Sequence, residues 1–170
     1  MTLDYLIALG SNSGDRLTYL ASATSCIARE IGIVSAFSYI YETKPIGPAD
    51  QAFFNAALIC QSDLNPVEVL DALLDIELRL GRTRLVRWGN RTIDLDIALI
   101  QNQNKPLTVK NERLIVPHIE CLQRDFVLKP AADIARYWVH PESGLTIGEH
   151  LQAVPMQSIK KKRGRLKPLS

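Results

Sequence analysis

Residues 92–99 read TIDLDIAL, and polar and apolar side chains alternate along this stretch without a break. Successive side chains of a strand point to opposite faces, so the alternation predicts a strand with one face in a hydrophobic core. The side chains predicted to share that face are Ile93, Leu95, Ile97 and Leu99. The opposite face carries two carboxylates, Asp94 and Asp96, and this pair of like charges needs a physical explanation.

The segments before this strand alternate between strand and helix patterns. Residues 3–9 predict a buried strand, and apolar residues at helical spacing predict a helix within 14–32. Residues 34–43 and 53–62 predict two further strands. A second helix is predicted over 65–80, because its first residues form a capping-box pattern and a glycine follows its last residue.

The resulting order, β-α-β-β-α-β, predicts a ferredoxin-like α+β sandwich with a mostly antiparallel sheet. The two predicted helices cover one face of the sheet. Smaller elements within 113–150 are expected to cover part of the other face, which places helices on both faces. The length of 170 residues and the hydrophobic content of 46% fit one globular domain, which we assign to residues 1–159.

Residues 160–170 differ in composition from the rest of the chain. They carry six of the 20 basic residues and no acid, so the remainder has 14 basic and 18 acidic residues and a formal charge of −4. A basic tail can bind nucleic acid or an anionic surface. We predict instead a solvated, disordered terminus, with no nucleic acid as a partner.

The composition also bears on the compartment. No run approaches the roughly 18 apolar residues of a membrane span, and the first residues lack the pattern of a signal peptide. The three cysteines are widely spaced in apolar segments, which is typical of reduced, buried thiols. We therefore expect a cytoplasmic monomer that is not bound to a membrane.

The two aspartates suggest a metal site. Alternate residues of a strand lie about 6.6–6.8 Å apart on one face, where two carboxylates repel each other unless a cation lies between them. Mg²⁺ prefers oxygen ligands and often shares one or two carboxylates with substrate phosphates. Four arginines within residues 82–91 suit phosphate binding, so the pattern predicts phosphoryl transfer. The structural alternative is an exposed face of Arg–Asp pairs.

Several blocks of the chain, within residues 4–135, resemble the 6-hydroxymethyl-7,8-dihydropterin pyrophosphokinases. They are YLIALGSN (5–12), SYIYETKPIGPADQAFFNAAL (38–58), IELRLGRTRLVRWGNRTIDLDIALI (76–100), LIVPH (114–118) and RDFVLKP (124–130). The resemblance implies transfer of the β,γ-pyrophosphoryl group of ATP to the hydroxymethyl oxygen of the pterin. The products are the pterin diphosphate and AMP, in tetrahydrofolate biosynthesis.

The resemblance also implies residue roles. Asp94 and Asp96 would ligate two Mg²⁺ ions and, with Arg82 and Arg91, form the catalytic set. The residues implied to bind ATP are Arg82, Arg84, Trp88, Arg91, Arg113, His118 and Arg124. Those implied to bind the pterin are Thr43, Pro45, Ile46, Phe53, Asn55 and Phe126, with the two phenylalanines stacking on its ring.

Two alternatives remain beside the kinase. Leu74, Leu85 and Ile119 stand where some relatives have polar or aromatic residues, so an inactive relative that binds pterin or nucleotide is conceivable. A ferredoxin-like RNA-binding module is a second alternative, although no strand carries the aromatic pattern of such modules. Formation of AMP would separate the kinase from both.

Overall fold

The computed structural model describes residues 1–45, 51–82 and 91–170, apart from the side chain of Leu122. Three residues with predicted roles, Ile46, Arg84 and Trp88, lie outside the described residues. The strands are β1 (Leu3–Ser11), β2 (Ile33–Phe37), β3 (Tyr39–Thr43), β4 (Phe53–Ser62), β5 (Asp94–Asn102), β6 (Lys105–Leu107), β7 (Val109–Lys110), β8 (Ile115–Val116) and β9 (Ile159–Arg165). The helices are α1 (Arg16–Glu30), α2 (Pro66–Arg79), α3 (Asp125–Ala135) and α4 (Ile147–Ala153), with a short 3₁₀ turn at Cys121–Gln123.

The main sheet is antiparallel in its described pairings and has the order β6-β5-β1-β4-β3-β9. The predicted strand over 34–43 is interrupted at Ser38, so β2 and β3 pair with separate parts of β4. The central order β5-β1-β4-β3, with α1 after β1 and α2 after β4, is the ferredoxin-like arrangement. The predicted fold is confirmed.

The sheet has a hydrophobic core on each face. On one face α1 and α2 cover Tyr5 and Leu58. On the other face α3 and α4 cover Leu6 and Ala57. Each fully buried leucine contributes about 1.5–3 kcal/mol to folding, and helices lie on both faces as predicted. None of the helices in the described part of the chain is long and apolar enough to cross a bilayer.

β5 contains a bulge that the sequence pattern does not reveal. Ala98 is an extra residue in the pairing with β1, so the register shifts by one residue there. A bulge of this kind reverses which side chains face which side. Leu95 and Ile97 pack beneath α1 and α2 as predicted, but Leu99 packs against the α3 side instead. The prediction for Leu99 is wrong, because alternation cannot show a residue inserted into the pairing.

The start of α2 follows its sequence signal. Asn65 Oδ1 accepts a hydrogen bond from the Glu68 N–H at 3.0 Å, and Glu68 Oε2 accepts from the Asn65 N–H at 2.8 Å. Pro66 occupies the first helical position, where its missing N–H has no cost. A cap of this kind stabilises the helix by about 1 kcal/mol. The other end of the same helix carries Glu77, which reaches the functional site.

The prediction of a disordered tail over 160–170 is wrong. β9 pairs with β3, and Leu166, directly after it, is only 1% exposed. The open edge of β3 offers unpaired backbone groups, and a lysine-rich strand suits a sheet edge because its charged ends stay in water. Arg163 adds an ion pair with Glu42 at 2.8 Å. The domain therefore extends beyond residue 159.

Candidate active site

Two adjoining clefts open on the α3 face of the sheet, where β1 ends and β4 and β5 begin. The first has a volume of about 510 Å³ and is lined in part by Asp96 and His118. The second has a volume of about 370 Å³ and reaches Thr43 and Phe53. The two clefts share four lining residues: Asn55, Asp94, Arg124 and Phe126. Asp94 and the Asn55 amide therefore lie at their junction.

Asp94 is held between two partly buried arginines. Arg82 Nη1 donates to Asp94 Oδ1 at 2.7 Å, and Arg91 Nη1 donates to Asp94 Oδ2 at 2.8 Å. Burial opposes the positive charge of Arg82, but the charges of Asp94 and Glu77 outweigh burial and raise the pKa of Arg82. Arg82 Nε is buried without a hydrogen-bond partner in the described structure.

Glu77 links α2 to the aspartate strand. Its side chain is buried, and Oε2 accepts hydrogen bonds from the Leu95 N–H at 2.9 Å and from Arg82 Nη1. Burial raises the pKa of Glu77, and the Leu95 N–H and the charge of Arg82 oppose this rise without cancelling it. Glu77 thus holds both the backbone between the two aspartates and one of the arginines.

Asp96 lies in a different electrostatic environment from Asp94. Its side chain is 46% exposed, and Oδ1 lies 3.9 Å from His118 Nε2. Partial burial of the carboxyl group, together with the charges of Asp94 and Glu77, raises the pKa of Asp96 to about 7. Burial lowers the pKa of His118, whose Nδ1 accepts a hydrogen bond from the Glu120 N–H at 3.3 Å. The negative charges of the neighbouring carboxylates therefore favour binding of a cation at Asp96.

The second cleft contains the residues expected to bind a planar ring. Asn55 Nδ2 donates to Thr43 Oγ1 at 2.7 Å, so two neighbouring strands present one connected polar edge. Phe53 lies on the same strand as Asn55, and Phe126 comes from α3. The Arg124 guanidinium lies 5.5 Å from the centroid of the Phe126 ring. Aromatic rings beside an amide suit a flat heterocycle with hydrogen-bonding edges.

Gly10 leaves space for the Asn55 side chain. It faces Asn55 across one strand pairing and Asp94 across the other, so it lies between the two side chains on the central strand. A Cβ at this position would lie 2.8 Å from Asn55 Oδ1. Any larger residue would push the amide, and the sequence analysis did not single out Gly10.

Asn12 is a second residue that sequence reasoning missed. Its Oδ1 accepts from the Arg91 N–H at 2.7 Å, its own N–H donates to the Arg91 carbonyl at 3.0 Å, and Nδ2 donates to the Gln51 carbonyl at 3.2 Å. This fully buried side chain ties the end of β1 to segments on both sides of the site. Its position three residues after the strand predicted over 3–9 is a weak signal, because polar residues commonly follow strands.

Most, but not all, of the described candidate residues meet at these clefts. Arg113 instead pairs with Asp71 of α2, where both side chains are about half exposed. Pro45 is exposed at the edge of the described residues. Leu74 lines a separate groove of about 780 Å³ together with Glu77 and Arg82. The residues that the structure brings together are Thr43, Phe53, Asn55, Arg82, Arg91, Asp94, Asp96, His118, Arg124 and Phe126.

An α+β sandwich with paired carboxylates, one of them held by two partly buried arginines, is typical of enzymes of the phosphoryl-transfer class. The model of the family described as 7,8-dihydro-6-hydroxymethylpterin-pyrophosphokinase (HPPK) matches residues 6–136. The chain belongs to this family.

Curated relatives from bacteria agree over most of their length. The 2-amino-4-hydroxy-6-hydroxymethyldihydropteridine pyrophosphokinase of Bacillus subtilis is 48% identical over 132 residues, which cover 76% of this chain and 77% of the relative. The Haemophilus influenzae protein of the same name is 41% identical over 81% of this chain and 84% of its own. That of Pseudomonas aeruginosa is 40% identical over 93% of this chain and 96% of its own.

Solved structures resemble the fold at low sequence identity. A crystal structure of HPPK-DHPS in complex with substrates has a TM-score of 0.72 at 16% identity and covers 90% of this chain. A Plasmodium falciparum HPPK-DHPS A437G structure has a TM-score of 0.71 at 14% identity, over 90% of this chain. The chain spans less than half of those two proteins, 43% and 45%. They therefore support the fold of this chain and nothing beyond it.

The family identifies the reaction. The chain is an ATP-dependent pyrophosphokinase, which transfers a pyrophosphoryl group from ATP to a hydroxymethyldihydropterin in folate biosynthesis. This confirms the predicted activity and the predicted substrates, and it favours the kinase over an RNA-binding module. The roles of individual residues are a separate question.

Proposed function

We propose that the two clefts are the two substrate sites of this transfer. Pterin lies in the smaller cleft, against Thr43, Phe53, Asn55 and Phe126, and the ATP triphosphate lies in the larger cleft. The observation that carries this proposal is that Asp94 lines both clefts, so two ligands that fill them meet at this carboxylate. Transfer requires the hydroxymethyl oxygen of the pterin and the β-phosphorus of ATP to lie next to each other.

Asp94 and Asp96 are proposed to hold two Mg²⁺ ions. Each oxygen of Asp94 accepts one arginine hydrogen bond, which leaves acceptor capacity on both. The described residues contain no cluster of three or more His, Cys, Asp or Glu arranged to hold a metal. A two-carboxylate donor set leaves positions for water and phosphate oxygens, which is the usual habit of Mg²⁺. When bound, the metal would neutralise phosphate charge as it redistributes during transfer.

The side chains of the chain itself then act on the triphosphate. Arg82 and Arg91 are held by Asp94, so their guanidinium groups are oriented before ATP arrives. The pterin oxygen bonds to the β-phosphorus, the bond from that phosphorus to the α,β-bridging oxygen breaks, and AMP leaves as the hydroxyl proton is lost. His118 and Arg124 border the same cleft and are proposed to bind phosphate oxygens. Arg113, which pairs with Asp71 outside the cleft, is proposed to bind ATP as well.

We propose that the enzyme acts as a monomer in the cytoplasm. Its three cysteines are unpaired, as expected in the reducing cytoplasm.

Release of AMP tests the metal requirement. With ATP and 6-hydroxymethyl-7,8-dihydropterin, we expect AMP in Mg²⁺ and none in excess EDTA, and no AMP when the pterin is left out. Electron paramagnetic resonance should count two Mn²⁺ per chain in the presence of an α,β-methylene analogue of ATP. Undiminished AMP release in EDTA would overturn the metal proposal, and one Mn²⁺ per chain would overturn the second ion.

Gly10→Ala tests the pterin cleft. The new Cβ displaces the Asn55 amide, so we expect the KM for pterin to rise about tenfold, the effect of about 1.5 kcal/mol from one misplaced hydrogen bond. The KM for ATP and the melting temperature should change little. Gly164→Ala is the matched control, because nothing lies within 4 Å of a Cβ there. Unchanged pterin kinetics in Gly10→Ala would contradict the assignment of Asn55.

A further inference from the structure

The pterin cleft has walls on two different elements that need a fixed separation. One wall is the end of β3 with Thr43, and the other is the first turn of α3 with Phe126. A ring that stacks between side chains from two elements is bound well only if the elements keep their spacing. The contacts that set this spacing can therefore affect pterin binding without touching the pterin.

A single residue before β9, Ser158, bonds to both walls through its backbone. The Ser158 carbonyl accepts a hydrogen bond from the Lys44 N–H at 2.9 Å, directly after Thr43. The Ser158 N–H donates to Asp125 Oδ2 at 2.8 Å, directly before Phe126. Asp125 is only 4% exposed, so this hydrogen bond is shielded from water. Ser158 thus bridges the two walls at the level of the cleft.

β9 holds Ser158 in place. Ile159 pairs with Thr43 at the start of the strand, and further pairs run to Tyr39 at its end. Beyond the strand, the Leu166 N–H donates to the Ser38 carbonyl at 2.8 Å. β9 and Leu166 lie beyond residues 6–136, the part of the chain that the family model matches.

A second, independent link joins α3 to β3 away from the cleft. Asp133 Oδ2 accepts hydrogen bonds from the Tyr41 hydroxyl at 2.8 Å and from the Tyr39 N–H at 3.2 Å. This link holds the last turn of α3 against the sheet whether or not Asp125 is present. Loss of Asp125 therefore affects the cleft end of the helix and leaves the rest attached.

We propose that Asp125 is a positioning residue and that, through Ser158, the C-terminal segment sets the width of the pterin cleft. This inference rests on the proposed assignment of that cleft to the pterin. Asp125 does not touch the substrate in this account. Its hydrogen bond to the Ser158 backbone fixes the distance between Thr43 and the turn that carries Phe126.

The test is steady-state kinetics and direct pterin binding with three variants of Asp125 and Ser158. In Asp125→Ala we expect the KM and Kd for pterin to rise by about 10- to 100-fold. The KM for ATP should rise much less, by an amount set by Arg124 and Phe126, which line both clefts. Asp125→Asn keeps an acceptor oxygen and should restore most of the pterin affinity. Ser158→Pro removes the N–H donor of the same hydrogen bond and should resemble Asp125→Ala. It therefore provides a second test of this hydrogen bond if Asp125→Ala folds poorly. Arg163→Ala is the control, because it removes a β9 ion pair that does not reach the cleft.

The outcomes distinguish failure of the pterin assignment of the cleft from failure of the positioning role of Asp125. If Phe126→Ala leaves pterin affinity unchanged, the assignment of the cleft itself fails. If Phe126→Ala weakens binding but Asp125→Ala does not, only the positioning role fails. Equal increases in the KM values for ATP and pterin in Asp125→Ala would also overturn it, since general loosening predicts that result. Failure of Asp125→Asn to restore affinity would exclude the hydrogen bond to Ser158 as the cause.

Discussion

Asp96→Ala is expected to lower turnover by about 100- to 1000-fold or more, because removing one group that stabilises transferring charge has an effect of that size. Pterin affinity should change by less than about threefold, since an interaction made mainly in the transition state contributes little to ground-state binding. Asp96 lines only the larger of the two clefts, so its loss leaves the pterin walls in place. Single-turnover AMP formation and pterin titration measure the two quantities separately.

Asp94→Ala should reduce turnover at least as strongly. This substitution removes a proposed metal ligand and also leaves Arg82 and Arg91 without the carboxylate between them. Asp63→Ala is the control, because this exposed aspartate contacts only Thr2 among the hydrogen bonds described. Equal losses of turnover and pterin affinity in Asp96→Ala would count against the assignment of this residue to phosphate chemistry.

Glu77→Leu should lower the free energy of unfolding by about 3–5 kcal/mol, the usual effect of removing one partner from a buried ion pair. The Leu95 N–H loses its acceptor, and the buried Arg82 loses one of its two carboxylates. Turnover of the folded fraction should also fall, because Arg82 is no longer held. Urea unfolding at constant pH, with the slope against denaturant checked, measures the stability change.

Two further variants make the Glu77 result interpretable. Glu77→Gln keeps an acceptor for the Leu95 N–H and should lose less stability than Glu77→Leu. Asp75→Ala lies on the exposed side of the same helix, where its solvent-screened ion pair with Arg79 contributes little to stability. A change below about 1 kcal/mol in Glu77→Leu would show that this carboxylate does not organise the site.

Prediction of the fold from sequence succeeded where the signals are local. Alternation in residues 92–99, the capping box at Asn65 and the order of elements were sufficient for the ferredoxin-like class. It was wrong for Leu99, because a bulge depends on the pairing with β1 and leaves no mark in one strand. It was also wrong for residues 160–170, where charge was taken as evidence of disorder although β3 offered an open edge.

The residues of the candidate site also fall into those that the sequence reveals and those that only the structure reveals. Asp94, Asp96 and the nearby arginines could be found from the sequence because they lie within one short stretch of it. Gly10 and Asn12 could not, since their importance comes from partners 45 and 79 residues away in the sequence. A glycine or an asparagine at the end of a strand has many ordinary explanations, and only the packed sheet distinguishes them.

The sequence by itself determined the element order, the carboxylate pair and the family, because periodicity, caps and contiguous motifs depend on neighbours along the chain. Only the tertiary structure decided that Asp94 lies at the junction of two clefts, and that Ser158 joins both walls of one of them. These relations are made by backbone pairing and side-chain contacts between distant segments. Their free energy exists only after the chain has closed the loops that bring those segments together.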